Sequence, residues 1–132
     1  LFRTSDIVSL HVVLAPGTRG IVGRHELSLM KPTAYLVNTA RGPLIDQDAL
    51  METLTDRRIA GAGIDTYDIE PLPEDHPIRK LDNIIITPHV GYVTQQGMEN
   101  FYSATVENVL AFLDGKPIRQ VNPDAGPGNP KP

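Results

Sequence analysis

Four short apolar runs, each bounded by polar residues, proline or glycine, dominate the hydrophobic pattern of this chain. They cover residues 6–13, 34–38, 60–64 and 83–87. None of them alternates cleanly between apolar and polar positions, which is typical of strands that are buried on both faces of a parallel sheet. The pattern therefore predicts four parallel strands, the first of them over 7–13.

Helices are predicted between these runs and after the last one. Residues 47–58 follow Asp46, which is a good N-cap. Residues 18–30 are less regular and contain two glycines, which indicates one or two short helical pieces. The clearest helix is 94–113, where apolar residues recur at i, i+3, i+4 and i+7, before Asp-Gly-Lys-Pro at 114–117. This alternation of strands and helices is an α/β pattern with right-handed crossovers.

Composition and charge exclude several classes of function. The chain has 132 residues, a net charge of −4 and no cysteine. A mildly acidic chain has no electrostatic attraction to nucleic acid or to an anionic membrane surface, so we expect neither as a partner. The absence of cysteine removes disulfides and thiolate metal sites, and we expect no metal site and a cytoplasmic location. The apolar runs are too short for a transmembrane helix.

The two ends of the sequence suggest its organisation. Residues 1–6 have no start methionine, do not form a signal peptide and read like the interior of a domain, which predicts a fragment. We place one domain at 1–118. Residues 119–132 form a Pro/Gly-rich tail that contains almost no apolar residue from 122 onwards, so disorder is predicted there.

Polar residues that suit catalysis follow the predicted strands. In an open parallel sheet, ligands bind just beyond the carboxyl ends of the strands. Arg41 follows the second predicted strand, a loop with several carboxylates at 65–71 follows the third, and His89 follows the fourth. We therefore expect an arginine, a carboxylate and a histidine to converge on one rim of the sheet.

Arg41 and His89 each have a functional and a structural interpretation. Arg41 precedes Gly-Pro, so its guanidinium could grip a carboxylate through a planar fork of donors. The alternative for Arg41 is a surface ion pair with Asp46 or Asp48. His89 could transfer a proton, or it could be a loop histidine with only a structural hydrogen bond.

Glu70 is the carboxylate that could orient His89 and favour its protonated form, as in many acid–base sites. Asp68 and Asp75 compete for that role in the sequence. The glycines offer no phosphate-binding loop, because Gly61-Ala-Gly63 lies within a predicted strand and the glycines at 17, 20 and 23 have the wrong spacing.

Six short motifs occur in order between residues 5 and 91, within a match that covers about residues 5–117. They are S-D-I-V-S-L-H-V at 5–12, T-R-G-I-V-G at 18–23, L-M-K-P at 29–32, L-V-N-T-A-R-G at 36–42, G-I-D-T-Y-D-I-E-P-L-P at 63–73 and T-P-H-V-G at 87–91. In this order and spacing they resemble the D-isomer-specific 2-hydroxyacid dehydrogenase family. Each motif is weak alone, but six in register make a specific resemblance.

The resemblance implies roles for the residues at the predicted rim. Arg41 would grip the substrate carboxylate and polarise the keto oxygen, His89 would exchange a proton with that oxygen, and Glu70 would pair with His89. The implied reaction is hydride transfer between NAD or NADP and a small 2-keto or D-2-hydroxy acid. Glutamine is expected at the position of Glu70 in formate dehydrogenases, so Glu70 implies a keto oxygen that must be protonated. The residues expected to meet the ribose and nicotinamide of the cofactor are Thr39, Ala40, Arg41, Asp65, His89 and Gly91.

The resemblance also implies a fold, and it implies which parts of the family's structure this chain lacks. The fold is the second half of a doubly wound, Rossmann-like parallel sheet with a long C-terminal helix. The glycine-rich turn and the substrate domain of the family would precede Leu1, so the isolated fragment is expected to be inactive, and a homodimer is expected for the full-length parent. The alternative function is a cofactor-sensing regulatory or interaction module on the same scaffold, as in corepressor relatives. The presence of all three residues, Arg41, Glu70 and His89, favours a dehydrogenase over this alternative.

Overall fold

The computed structural model describes residues 1–122. Its elements, in chain order, are β1 Ile7–Leu10, α1 Arg24–Ser28, β2 Tyr35–Asn38, α2 Gln47–Thr55, β3 Gly61–Ile64, β4 Ile84–Ile86 and α3 Gln95–Leu113. Two 3₁₀ helices, Gly42–Leu44 and Pro77–Lys80, lie in the connections. The chain divides into two compact units, Leu1–Gly91 and Tyr92–Pro132. Most of the predicted tail, 123–132, lies outside the described residues.

The four strands form one sheet in the order β1-β2-β3-β4. All three pairs are parallel, and the register places Ile7 opposite Tyr35 and Tyr35 opposite Gly61. Each strand lies within one of the predicted runs, which confirms the α/β class and the parallel sheet. Because parallel strands have their carboxyl ends on the same side, the loops after β2, β3 and β4 lie along one rim of the sheet.

Within the first unit, β1 and β2 bury only one face. Val8 and Leu36 are buried, whereas Ile7 is 65% exposed and Tyr35 is 51% exposed. The prediction that these strands are buried on both faces is therefore wrong for the described residues. The reason is that α1 and α2 contact each other and share one buried cluster, which includes Leu27, Leu50 and Leu54 and covers a single face.

Two predicted boundaries are too long. β1 ends at Leu10 rather than at residue 13, because β2 offers partners only from Tyr35 to Asn38. The helix predicted over 47–58 ends at Thr55, because Arg57 adopts a positive φ of 53° and donates to Asp82 at 2.8 Å. The start of α2 is as predicted, with the side chain of Asp46 accepting from the backbone of Ala49 at 3.0 Å.

The second unit consists mainly of α3, as predicted. The Thr94 hydroxyl caps it by accepting from the backbone of Gly97 at 3.0 Å. Gly115, at a φ of 70°, ends it, and the backbone N–H of Lys116 donates to the carbonyl of Ala111. No residue of α3 is buried. No helix in residues 1–122 has both the length and the apolar character required to cross a membrane.

Candidate active site

His89 and Glu70 form a hydrogen-bonded pair at the rim. Nδ1 of His89 lies 2.7 Å from Oε2 of Glu70, and each side chain is 36% exposed, so a ligand can reach the pair. Asp68 and Asp75, which compete for this role in the sequence, make no hydrogen bond or ion pair within the described part of the chain. The structure therefore pairs His89 with Glu70.

Glu70 is held as a carboxylate. The hydrogen bond with His89 lowers the pKa of Glu70, and so does the backbone N–H of Tyr67, which donates to Oε1 at 2.9 Å. The positive charge of Arg41 acts in the same direction. An ionised carboxylate only accepts hydrogen bonds, so Nδ1 of His89 donates to it.

The backbone that carries His89 is in an uncommon conformation. His89 has a φ of 57°, in the left-handed region that few residues other than glycine adopt. Asp65 holds this turn from both sides of His89. Its Oδ1 accepts from the Thr87 hydroxyl at 2.5 Å and from the Val90 N–H at 2.9 Å, and its Oδ2 accepts from the Gly91 N–H at 2.8 Å.

Asp65 is a buried carboxylate, with 3% of its surface exposed. Burial raises the pKa of Asp65, but the hydrogen bonds from Thr87, Val90 and Gly91 outweigh burial and the net pKa is lowered. A Cβ at the position of Gly91 would lie 2.9 Å from Oδ2 of Asp65, so a larger residue there would displace this carboxylate. The same Cβ would lie 3.7 Å from that of Thr39, so the loops after β2 and β4 meet at this point.

Asn38 shapes the loop that presents Arg41. It is fully buried, its Nδ2 donates to the carbonyl of Arg41 at 2.9 Å, and its Oδ1 accepts from the N–H of Ala40 at 3.1 Å. The exposed guanidinium of Arg41 donates to the carbonyl of Ala40 at 2.6 Å. Within the described residues it makes no ion pair with Asp46 or Asp48, so the surface-pair interpretation has no support.

Gly42 brings the arginine loop against the glutamate loop. A Cβ on Gly42 would lie 2.2 Å from the carbonyl carbon of Tyr67 and 2.6 Å from the backbone nitrogen of Asp68. Only glycine permits this backbone-to-backbone contact, which sets the position of Arg41 relative to Glu70. The hydroxyl of Tyr67 in turn lies 2.9 Å from the carbonyl of Thr87 at the end of β4.

The structure places all the predicted site residues on this one rim. Thr39, Ala40 and Arg41 follow β2, Asp65 and Glu70 follow β3, and His89 and Gly91 follow β4. The sequence analysis missed Asn38, Gly42 and Tyr67 as positioning residues. For Asn38 a signal was available, because it is a polar residue at the end of an apolar strand.

A cavity of about 600 Å³ lies against the Glu70–His89 pair. Its other walls are mainly apolar and include Leu72, Ile86 and Pro88. Arg79 is the cation in its lining.

Comparisons with known proteins show the family of this chain. The family model described as "D-isomer specific 2-hydroxyacid dehydrogenase, NAD binding domain" matches residues 1–91. A glyoxylate reductase of Thermofilum pendens is 41% identical over 116 residues, which is 88% of this chain and 34% of that protein. A glycerate dehydrogenase of Methylorubrum extorquens is 44% identical over 120 residues, which is 89% of this chain and 38% of that protein.

A solved structure shows the same fold. The NAD-complexed D-isomer-specific 2-hydroxyacid dehydrogenase of Lactobacillus delbrueckii ssp. bulgaricus superposes with a TM-score of 0.78 at 37% identity, over 89% of this chain and 40% of that one. The parallel sheet, the loops at its rim and these matches define a Rossmann-like NAD-binding domain. The chain belongs to the D-isomer-specific 2-hydroxyacid dehydrogenase family. It spans 34% to 38% of the length of the two curated relatives.

Proposed function

We propose that this chain supplies the catalytic rim of a dehydrogenase that interconverts a small 2-keto acid and a D-2-hydroxy acid with NAD or NADP. The observation that carries the proposal is the 2.7 Å contact between His89 and Glu70, with Arg41 on the neighbouring loop. A glyoxylate reductase and a glycerate dehydrogenase among the relatives support a small 2-keto acid as the substrate class.

The loops after β2 and β4 fit the reactive end of a dinucleotide. Thr39 and Gly91 approach each other there, and the lack of a side chain at Gly91 lets its backbone lie against the carboxylate of Asp65. We propose that Thr39, Ala40, Arg41, Asp65, His89 and Gly91 contact the ribose and nicotinamide. The bound nicotinamide would supply or accept the hydride.

His89 and Arg41 would act on the oxygen of the substrate. Negative charge develops on the keto oxygen as it is reduced, and the guanidinium of Arg41 and a protonated His89 stabilise that charge. Nε2 of His89 gives its proton to this oxygen, and Glu70 holds the imidazolium through Nδ1. The planar fork of Arg41 also suits the substrate carboxylate.

Three further expectations are part of this proposal. We propose that the complete protein is a cytoplasmic homodimer, that the domain boundary lies near residue 118, and that the 132-residue chain alone is inactive. Equilibrium sedimentation of the protein expressed from its complete reading frame tests whether it is a dimer.

An activity assay tests the proposed function. The complete protein is assayed with NADH and NADPH against glyoxylate, hydroxypyruvate, 2-oxoglutarate and phosphohydroxypyruvate. His89→Ala should lower turnover by about a hundredfold to ten-thousandfold, because general acid catalysis is lost, while cofactor binding is kept. His25→Ala, at an exposed histidine on α1, is the matched control. Cofactor binding without turnover would favour the corepressor-like module, and near-wild-type turnover in His89→Ala would contradict the assignment.

A further inference from the structure

Arg79 is bound to the loop that carries Glu70. Its Nε donates to the carbonyl of Pro73 at 2.9 Å, and its Nη2 donates to the carbonyl of Leu72 at 2.9 Å. The guanidinium is a planar fork and can satisfy two consecutive carbonyls, whereas the single ammonium of a lysine cannot reproduce that geometry. The two carbonyls follow Glu70-Pro71 directly, so these bonds fix the path of the backbone as it leaves Glu70.

Side-chain packing holds this loop only in part. Leu72 is buried, but Ile69 is 67% exposed. The cavity of about 600 Å³ lies against Glu70 and His89, with Arg79 in its wall. Because little packs against the carboxylate on the cavity side, hydrogen bonds must fix its position. The Tyr67 N–H provides one such bond before Pro71, and Arg79 provides two after it.

The backbone of Arg79 is itself anchored to the core. The 3₁₀ helix Pro77–Lys80 begins after His76, whose Nδ1 accepts from the N–H of Ile78 at 3.2 Å. Nε2 of His76 lies 2.8 Å from the side-chain amide of Gln47 at the start of α2, and Ile78 is buried. Arg79 therefore connects a fixed part of the fold to a less tightly packed loop.

We propose that Arg79 is a positioning residue, which sets the Glu70 carboxylate against the His89 imidazole by binding the carbonyls of Leu72 and Pro73. This inference rests on the proposed function. The roles proposed above for Arg41, Glu70 and His89 do not involve Arg79.

The test compares Arg79→Met, Arg79→Lys and Lys80→Met in the complete protein. Lys80 is the neighbouring cation on the same 3₁₀ helix and makes no hydrogen bond or ion pair within residues 1–122, so its variant controls for lost charge. Arg79→Met should lower kcat by about ten- to hundredfold, because the Glu70–His89 geometry is lost, with KM for the keto acid changed less than twofold. Arg79→Lys should not restore kcat, and Lys80→Met should match the wild type.

A double-mutant cycle separates positioning from a general loss of structure. If Arg79 acts through Glu70, adding Arg79→Met to Glu70→Gln should cost little beyond the single Glu70→Gln change. Additive losses, or an Arg79→Met variant that matches Lys80→Met, would overturn the proposal. If Arg79→Met does not fold, the same cycle is run with Arg79→Lys.

A spectroscopic measurement tests the role of Arg79 separately from the proposed enzymatic activity. The ¹⁵N resonances of the His89 ring report the Nδ1 hydrogen bond and its pH dependence whether or not the protein turns over. Among residues 1–122, Glu70 and Asp65 are charged groups beside this ring, Arg41 acts on Glu70, and Arg79 lines the same cavity as the ring. Arg79→Met should change the Nδ1 signal in the same direction as Glu70→Gln, and an unchanged signal would reject the positioning role even if the enzyme assignment holds.

Discussion

The charge around His89 is set by side chains from two other loops. Glu70 and Asp65 both have pKa values below the ordinary value of their carboxyl groups, so both are negative near neutrality. Arg41 is positive and lies near enough to Glu70 to lower the pKa of that carboxyl. Under the proposed function, the rim would combine a proton donor, His89, with a cation for the substrate carboxylate, Arg41.

Replacing Glu70 by glutamine should shift the pH profile of the activity proposed for the complete protein. Glu70 has a lowered pKa and is ionised through the neutral range, so the substitution removes a full negative charge beside His89. Because that charge lies beside the residue proposed to exchange the proton, the reductive limb of the kcat/KM profile should shift to lower pH. Glu74→Gln, at an exposed glutamate in the same connection, should leave the profile in place. An unchanged profile in Glu70→Gln would reassign the role of Glu70.

Arg41→Lys should raise KM for the keto acid and lower kcat together. An ammonium is a point charge and cannot make the two-pronged contact that a planar guanidinium makes with a carboxylate. Arg3→Lys, at another exposed arginine, is the control and should have wild-type kinetics. Steady-state kinetics on both variants measure the effect, and wild-type constants for Arg41→Lys would make Arg41 an ordinary surface residue.

The hydrophobic pattern predicted the positions of the secondary-structure elements better than their ends. All four strands and both longer helices could be located, because apolar runs and caps are local signals. The end of β1 could not, since it depends on where Asn38 turns β2 into the Arg41 loop. The exposed face of β1 and β2 was also missed, because apolar composition does not reveal which helices cover a strand.

The candidate site was predictable to a similar extent. Arg41, Glu70 and His89 could be chosen because they follow strands of a parallel sheet, and the resemblance selected Glu70 over its neighbours. The hydrogen bonds of Asp65 with the backbone of Val90 and Gly91 join residues 25 and 26 positions apart, and no periodicity encodes them. The same holds for Arg79, whose partners are backbone carbonyls that every residue possesses.

Asp65 links the ends of β3 and β4, and its substitution should loosen the turn that carries His89. Asp65→Asn places an amide where both oxygens now accept hydrogen bonds, so at least one buried donor loses its partner, at a cost of about 1–3 kcal/mol in the free energy of unfolding. Chemical denaturation measures this loss, and faster amide exchange at Val90 and Gly91 would place it in the turn. Asp68→Asn, at an exposed aspartate, is the control.

The stability contribution of Asp65 should depend on pH in a defined direction. Its folded pKa is lowered relative to the unfolded chain, so the contribution is present above the ordinary aspartate pKa of about 3.9 and is lost as the pH falls through the folded value. The difference in stability between wild type and Asp65→Asn should therefore shrink in acid. A difference that stays constant down to about pH 3 would show that the carboxylate charge is not involved.

The two units share one property, which is exposed apolar surface. In the first unit β1 is an edge strand, and Ile7 at its start and Val13, beyond its end, are 65% and 82% exposed. No lysine, proline or glycine occurs between residues 7 and 13 to protect that edge from pairing with another chain. In the second unit α3 has exposed apolar side chains along its length, at Phe101, Tyr102, Val106, Val109, Leu110, Phe112 and Leu113. Surfaces of this kind favour association.

We therefore predict that the 132-residue chain, expressed alone, is not a stable monomer and does not bind NADH with useful affinity. The unpaired edge of β1 and the apolar face of α3 should drive self-association, and no glycine-rich turn before a helix is present in the sequence to hold the pyrophosphate. Sedimentation velocity over a range of concentrations and NADH fluorescence titration measure the two parts separately. Ile7→Lys places a charge on the exposed edge and should reduce association without restoring NADH binding. A dilute wild-type monomer that unfolds cooperatively and binds NADH at micromolar concentration would contradict both parts.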